Sequence, residues 1–532
     1  MRHPVIVVCL LLACAHAPTS PPPAPTSEWN APAPTPEATH AINQAWKLVD
    51  GGELGKAHAL LKSTWEAGHV YPEVAWSAAL AAARVGDPTA SFTWVERAVR
   101  SGFADPAGLR FAKALEPVRQ LPGYEALVEQ ATRNARAARE AAGVGSGLER
   151  ISARDAGLSE PALAALVKAA EEAGSAGLVL LRHGRLVGEW YFGGESHRIE
   201  TMSATKGVVA LAIGLLIDEG RIPSADTPVS RFFPEWREGL AAKVTVRHLL
   251  NHTSGLDAQR SAQDIYDARD FVRHALESRV TEEPGSRFFY NNNAVNLLSG
   301  IVERASGEKL DAYLERRLFA PLGIRDFRWD KDPAGNAVGM AGLQLHPVDF
   351  AKVGQLMLQK GVWAGQRILS EAWVRECTMA AQPHAPSGGL LWWLVYEQRP
   401  TMTLVQPMLD EARANGVPEQ TLAKLADLVG RPMVQDVLAR ALVERLGSEK
   451  ALTDFESKVL RASYRMTMEG PPEGFAAMGT GGQTVLVFPE YDLVVARMAD
   501  LDERVAPRAM AFPSLVTRVL DLVRPTPEAA TR

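Results

Sequence analysis

The stretch Met202-Ser203-Ala204-Thr205-Lys206-Gly207 sets a hydroxyl and an amine three residues apart. On a helix that spacing is one turn, so the two side chains share a face. An apolar run of ten, Val208 to Ile217, follows directly and predicts a buried helix. A serine hydroxyl is a poor nucleophile until a base takes its proton. A lysine withdrawn from water can be that base, because burial disfavours the ammonium form. The partial positive charge of a helix N-terminus would steady the developing alkoxide. The same S-x-x-K pattern recurs at Ser306 to Lys309. That copy sits in an Ala-Ser-Gly turn and reads as structural. Tyr290-Asn291-Asn292 offers a phenol that can pass a proton and, at Asn292, an amide that can hold a substrate or the lysine. Gly479-Thr480-Gly481-Gly482-Gln483 offers a backbone that a substrate can approach and an N–H for an oxyanion. Taken singly, the tyrosine is an ordinary loop residue and the glycines an ordinary turn.

Elements must position these groups. Gly177 to Arg182, His183-Gly184 and Arg185 to Tyr191 read as a β-hairpin. Thr484 to Phe488 and Leu493 to Arg497 read as a second one, across Pro489 to Asp492. Most of the chain between them is helical in pattern. Hairpins at both ends of a helical region predict an α+β unit over 150–525: one antiparallel sheet flanked by helices, plus an all-helical subdomain. A helical insertion at 400–470 leaves after Trp392-Trp393 and returns just before Thr480, so its ends are expected near the catalytic strand, where it would wall or cover the site. Ahead of this unit, residues 40–140 carry apolar residues at helical spacing, with a pattern that returns after about 34 residues. That predicts a small all-α domain of helix pairs, tetratricopeptide-like, with a possible protein partner.

Hydrophobic residues are 46% of the 532, and the net charge is only -5. Nothing in that charge pattern suggests nucleic acid. Of three cysteines, Cys377 stands alone in the body of the chain and reads as a buried thiol. Arg2 and the apolar Val5 to Ala13 predict an export signal too short to span a bilayer. Leu11-Leu12-Ala13-Cys14 resembles the lipobox of bacterial lipoproteins, which implies a signal over 1–14 and lipid on Cys14. The Pro-rich segment 15–39 would then be a tether from the membrane. The expected place is the bacterial cell envelope, facing the periplasm.

The three motifs in this order resemble the serine β-lactamase and penicillin-binding-protein family, nearest the class C β-lactamase, D-Ala-D-Ala carboxypeptidase and family VIII esterase group. Val244 to Leu256, with its His-Thr-Ser-Gly, and Leu318-Phe-Ala-Pro-Leu-Gly323 extend the likeness. His248 and His252 are read as ordering a loop. The resemblance implies an acyl-enzyme on Ser203, proton handling by Lys206 and Tyr290, and orientation of the substrate amide or Lys206 by Asn292. It implies a third motif of Thr480, Gly481, Gly482 and Gln483, with the N–H groups of Ser203 and Gln483 as the oxyanion hole. No cofactor or metal is implied, and the substrate is a small-molecule or peptide acyl compound. Many relatives carry a cation where Thr480 stands, one that would hold a carboxylate. Its absence, unless Arg497 supplies it, shifts the expectation from β-lactamase to esterase or another acyl hydrolase. The competing expectation is a degenerate hydrolase that serves as an envelope scaffold through its helical repeats.

Overall fold

The structure is a computed structural model that describes residues 34–142, 147–192, 194–257, 263–397, 401–456, 458–459, 464–500 and 515–524. Cys14, the signal and the tether as far as residue 33 lie outside the described residues.

The first unit is helical. Helix α1 (Pro36–Asp50) starts on a proline, and the Thr35 hydroxyl caps it by accepting from the Ala38 N–H. The helix therefore begins four residues inside the segment expected as tether. Helices α2 (Leu54–Glu66), α3 (Pro72–Val85) and α4 (Pro88–Arg100) follow as antiparallel neighbours, and α2 and α4 open 34 residues apart. Gly86, with φ 88°, ends α3, and the Asp87 carboxylate caps α4. Helix α5 (Tyr124–Ala142) closes the unit. Alanines along α3 allow close approach, and every residue from Pro72 to Ala82 is buried.

The second unit begins with α6 (Glu160–Glu172) and the hairpin of β1 (Gly177–Arg182) and β2 (Arg185–Tyr191). His183 and Gly184 both take positive φ, 53° and 70°, as a two-residue hairpin turn requires. Then come β3 (Ile199–Glu200), α7 (Thr205–Asp218), α8 (Asn292–Ser306), β4 (Arg328–Trp329), β5 (Leu343–Leu345) and α9 (Pro347–Leu358). Strand β6 (Trp393–Val395) precedes the insertion, whose strands are β7 (Thr401–Thr403), β8 (Pro432–Val434) and β9 (Arg465–Thr467). Strands β10 (Gly474–Gly479), β11 (Gln483–Phe488) and β12 (Leu493–Met498) and helix α10 (Leu515–Leu520) complete it.

The main sheet runs β2-β1-β12-β11-β10-β6, antiparallel throughout. Alternation sends Val179, Leu181, Val485, Val487, Val494 and Ala496 to the core under α7 and α9. Leu178, Leu180, Leu486, Phe488, Leu493 and Val495 go to the opposite core, with residues of α6 and α10. Both faces are covered, so these strands read as unbroken apolar runs. A second sheet, β3-β5-β4, sits beside α7, where the Leu343 N–H meets the Thr205 hydroxyl. This is the α+β architecture expected, with the helical unit ahead of it.

The insertion differs from expectation. It has its own core around Leu404, Leu409, Leu425 and Phe455, and a three-stranded sheet, β8-β7-β9, among its helices. Its stem is the pair Val395 and Gly474, at the end of β10 remote from Gly479. Five residues of strand, roughly 17 Å, separate the stem from Gly479. The ends of the insertion thus lie on β6 and on β10, the strand that leads to Gly479.

Candidate active site

Ser203 lies in a single 3₁₀ turn, Met202–Ala204, that runs into α7. The expectation had Ser203 open the α-helix itself. Met202, just before it, holds φ 50°, a left-handed conformation that costs a bulky side chain energy and persists only where neighbours enforce it. They do so here. The Thr201 N–H donates to Leu343 O at 2.8 Å, and the Thr201 hydroxyl shares hydrogen bonds with Leu343 O and the Thr205 hydroxyl. Two indoles hold α7 from the other side. Trp392 Nε1 donates to Gly207 O at 3.1 Å and Trp373 Nε1 to Ala210 O at 3.0 Å.

Lys206 is buried, and its Nζ donates to Ser203 Oγ at 3.0 Å and to Met340 O at 2.6 Å. The Asn296 carboxamide on α8 fixes that carbonyl in turn, accepting from the Met340 N–H at 3.1 Å. The Tyr290 ring lies with its centroid 5.0 Å from Lys206 Nζ. Serine, lysine and tyrosine are thus brought together as their types suggested. Asn292 is half-buried at the first turn of α8, beside Tyr290. Its neighbour Asn291 caps the helix and ties down Leu256 and Asp257 through their carbonyls. Ser306 is remote from this. It ends α8, its hydroxyl donating to Val302 O and accepting from the Glu308 N–H.

The third motif is placed differently from the reading above. The residue against Ser203 is Gly479. A Cβ there would lie 2.4 Å from Thr201 O and 3.0 Å from Ser203 N, so only glycine lets β10 pass the nucleophile. Thr480 follows at the start of the turn, half-buried, and Gly481 and Gly482 take φ 78° and 79°. Gln483 is fully buried: its side-chain amide donates to Ala499 O and its Oε1 accepts from the Ala499 N–H, so the side chain is turned away from a substrate and its backbone N–H stays the candidate oxyanion donor. Arg497 is a correction. Its guanidinium is buried and donates to Gly481 O, Gly482 O, Ala173 O and Ser175 Oγ, so it braces the turn from behind instead of clamping a substrate. Burial pulls its pKa down to about 10.

His252 is the residue that sequence undervalued. It holds φ 58° and lies against the Tyr290 ring, centroids 4.5 Å apart and planes tilted by 38°. Its Nδ1 accepts the Asn291 N–H at 3.2 Å. Burial, and then the nearby Lys206 charge, push its pKa down to about 3, so it backs the tyrosine as a neutral ring. The folded imidazole takes a proton less readily than the unfolded one at 6.5. Stability from this site is therefore whole above pH 6.5 and is lost as pH falls towards 3. The loss by pH 5 is about 2 kcal/mol. Denaturant unfolding at pH 8 and pH 5 should show wild type losing about that much more than His252→Gln. Equal losses would place the acid sensitivity elsewhere.

A Ser–His–Asp line also exists away from the site: Ser196 Oγ lies 2.9 Å from His346 Nδ1, and His346 Nε2 lies 2.8 Å from Asp326. Ser196 and His346 are sealed from solvent, so the line is a structural brace. Cys377 is buried as expected, its thiol pKa raised by burial. Among the described residues no group of three or more His, Cys, Asp or Glu could hold a metal ion. Nor is any described helix long and apolar enough to cross a membrane.

A family model described as Beta-lactamase matches residues 163–515. The chain belongs to the Beta-lactamase family. Within that family it is 34% identical over 186 residues to esterase EstB of Burkholderia gladioli, covering 31% of this chain and 47% of that protein. It is 27% identical over 265 residues to the 6-aminohexanoate-dimer hydrolase of Paenarthrobacter ureafaciens, covering 43% and 66%. The chain thus spans less than two thirds of the length of either relative. A penicillin-binding protein homologue from Pyrococcus abyssi aligns in structure with a TM-score of 0.42 and 18% identity, over 68% of this chain and 78% of that one. The helical unit before residue 143 lies wholly outside the Beta-lactamase match.

Proposed function

We propose that this protein is a serine acyl hydrolase acting through an acyl-enzyme on Ser203, with the preference of an esterase. The observation that carries the proposal is the 3.0 Å contact between Lys206 Nζ and Ser203 Oγ, with Tyr290 beside it. Lys206 and Tyr290 relay the Ser203 proton to the leaving oxygen as Oγ attacks the carbonyl. The Ser203 N–H is one oxyanion donor. The second is assigned to a backbone N–H of the turn that Gly479 brings against Ser203, from Thr480 to Gln483. Water then releases the acid by the reverse relay. Phe288 and Trp393 meet edge to face beside this site, 6.4 Å between centroids, an apolar margin suited to an acyl chain. The esterase relative adds weight to this reading. Export and lipid attachment at Cys14 complete it on sequence grounds alone.

The test is substrate choice. A threonine hydroxyl gives one neutral hydrogen bond where a cation would give a charge-assisted one of about twice the strength. Losing a charged partner costs about ten- to a hundredfold for a carboxylate-bearing substrate. Uncharged esters lose nothing. Wild type should hydrolyse p-nitrophenyl butyrate readily and nitrocefin poorly, and Thr480→Lys should raise the ratio of nitrocefin to ester kcat/KM. Efficient nitrocefin turnover by wild type would reverse the assignment.

A further inference from the structure

Among the described residues the helical unit reaches the framework of the site through a buried charge. Glu73 stands in the first turn of α3, is 1% exposed, and pairs with Arg328 of β4. Arg328 is itself 8% exposed. The register places Arg328 opposite Gln344 of β5, and Gln344 opposite Glu200 of β3. These three polar residues therefore line one face of the small sheet, with Glu73 against its Arg328 end. Arg328 Nε also lies 3.8 Å from Asp330 Oδ1.

Both catalytic groups depend on this sheet. Glu200 Oε1 accepts the Gly342 N–H at 2.9 Å, and the Asp330 N–H donates to Gly342 O at 2.9 Å. Two residues before Gly342, Met340 O takes the Lys206 ammonium. Next to Glu200, Thr201 is pinned to Leu343 O, and Ser203 follows. A carboxylate of the first unit thus anchors the cation around which the nucleophile's strand and the lysine's acceptor loop are arranged.

We infer that Glu73 is a positioning residue for the active site: the N-terminal helical unit, by neutralising Arg328, keeps the β3–β5 segments in the register that aligns Ser203 with Lys206. Without that carboxylate the guanidinium turns to Asp330 and Glu200, the groups that set Gly342. Buried charges seek a partner because an uncompensated one is costly. The second link between the units, Lys47 with Asp267, is half-exposed and should matter little. The helical unit is thus part of the hydrolase's working structure, whatever else its outer surface meets.

The kinetic side of this inference rests on the acyl-hydrolase reading; its structural side does not. The test compares Glu73→Gln, which keeps the shape, with Lys47→Ala in the full chain. With p-nitrophenyl butyrate, Glu73→Gln should lower kcat about tenfold with KM within about twofold, because small misplacements of reacting groups act on the chemical step. Lys47→Ala should match wild type. Hydrogen exchange should speed up in segments 199–206 and 338–345, with 483–498 unchanged. Unchanged kcat in an active protein, acceleration confined to 36–142, or uniform acceleration over the whole chain would each overturn the inference. Were wild type to show no hydrolysis and no fluorophosphonate label on Ser203, the functional reading would fall. The exchange pattern would still decide the role of Glu73.

Discussion

Ser203→Ala should remove hydrolysis of short-chain p-nitrophenyl esters down to background, a loss of at least about a thousandfold. The serine supplies the bond-forming atom, and its hydroxyl lies 3.0 Å from Lys206 Nζ. The lysine keeps a second acceptor, Met340 O, so the side chain should hold its place in the variant. Ser306→Ala is the matched control: that hydroxyl closes the end of α8 and should leave turnover near wild type. A fluorophosphonate probe should label wild type and Ser306→Ala and leave Ser203→Ala unmarked. Retained activity in Ser203→Ala would end the assignment.

Gly479→Ala should be nearly as severe, lowering kcat about a hundred- to a thousandfold, the range for loss of an oxyanion donor. The added methyl would meet Thr201 O at 2.4 Å and Ser203 N at 3.0 Å. Both are backbone atoms, and Thr201 is fastened to Leu343 O, so neither can give way cheaply. Strand β10 would be pushed off the nucleophile, taking the N–H groups of the turn with it. The unfolding midpoint should fall as well, while circular dichroism shows the fold retained at the temperature at which kcat is measured. A variant with wild-type kcat would show that this strand takes no part in the chemistry.

The nucleophile and its partners were legible because their chemistry depends on residue type at short spacing. Ser203 and Lys206 are one helical turn apart, and Tyr290 announces itself by the asparagines beside it. What was illegible lies in contacts between distant segments. The Gln483 side chain gives no local sign that its partner is Ala499, just past the end of the neighbouring strand. His252 carries no local mark of its contact with Tyr290, 38 residues further on. The insertion's strands have three residues each, too few for alternation to register. Gly479 was seen as one of several glycines, while the reason it must be glycine is set by Thr201 and Ser203. The Glu73–Arg328 pair bridges 255 positions and two units, and no pattern in either neighbourhood foretells it.

The pairing of β1 with β12, Gly177 against Met498, has a consequence for how the molecule is made. During synthesis the nucleophile and its helix leave the ribosome some three hundred residues before the strand that completes their platform. Contacts so far apart along the chain must overcome a large loop-closure entropy and form slowly. Until Leu493 to Met498 arrives, β1 has neighbours on one side only, and the apolar faces destined for two cores are uncovered. The helical unit, built from contacts between successive helices, has no such wait. An order of assembly is therefore written into the topology: the N-terminal unit first, the insertion on its own core, and the catalytic sheet last, when the C-terminal strand locks the first one in place.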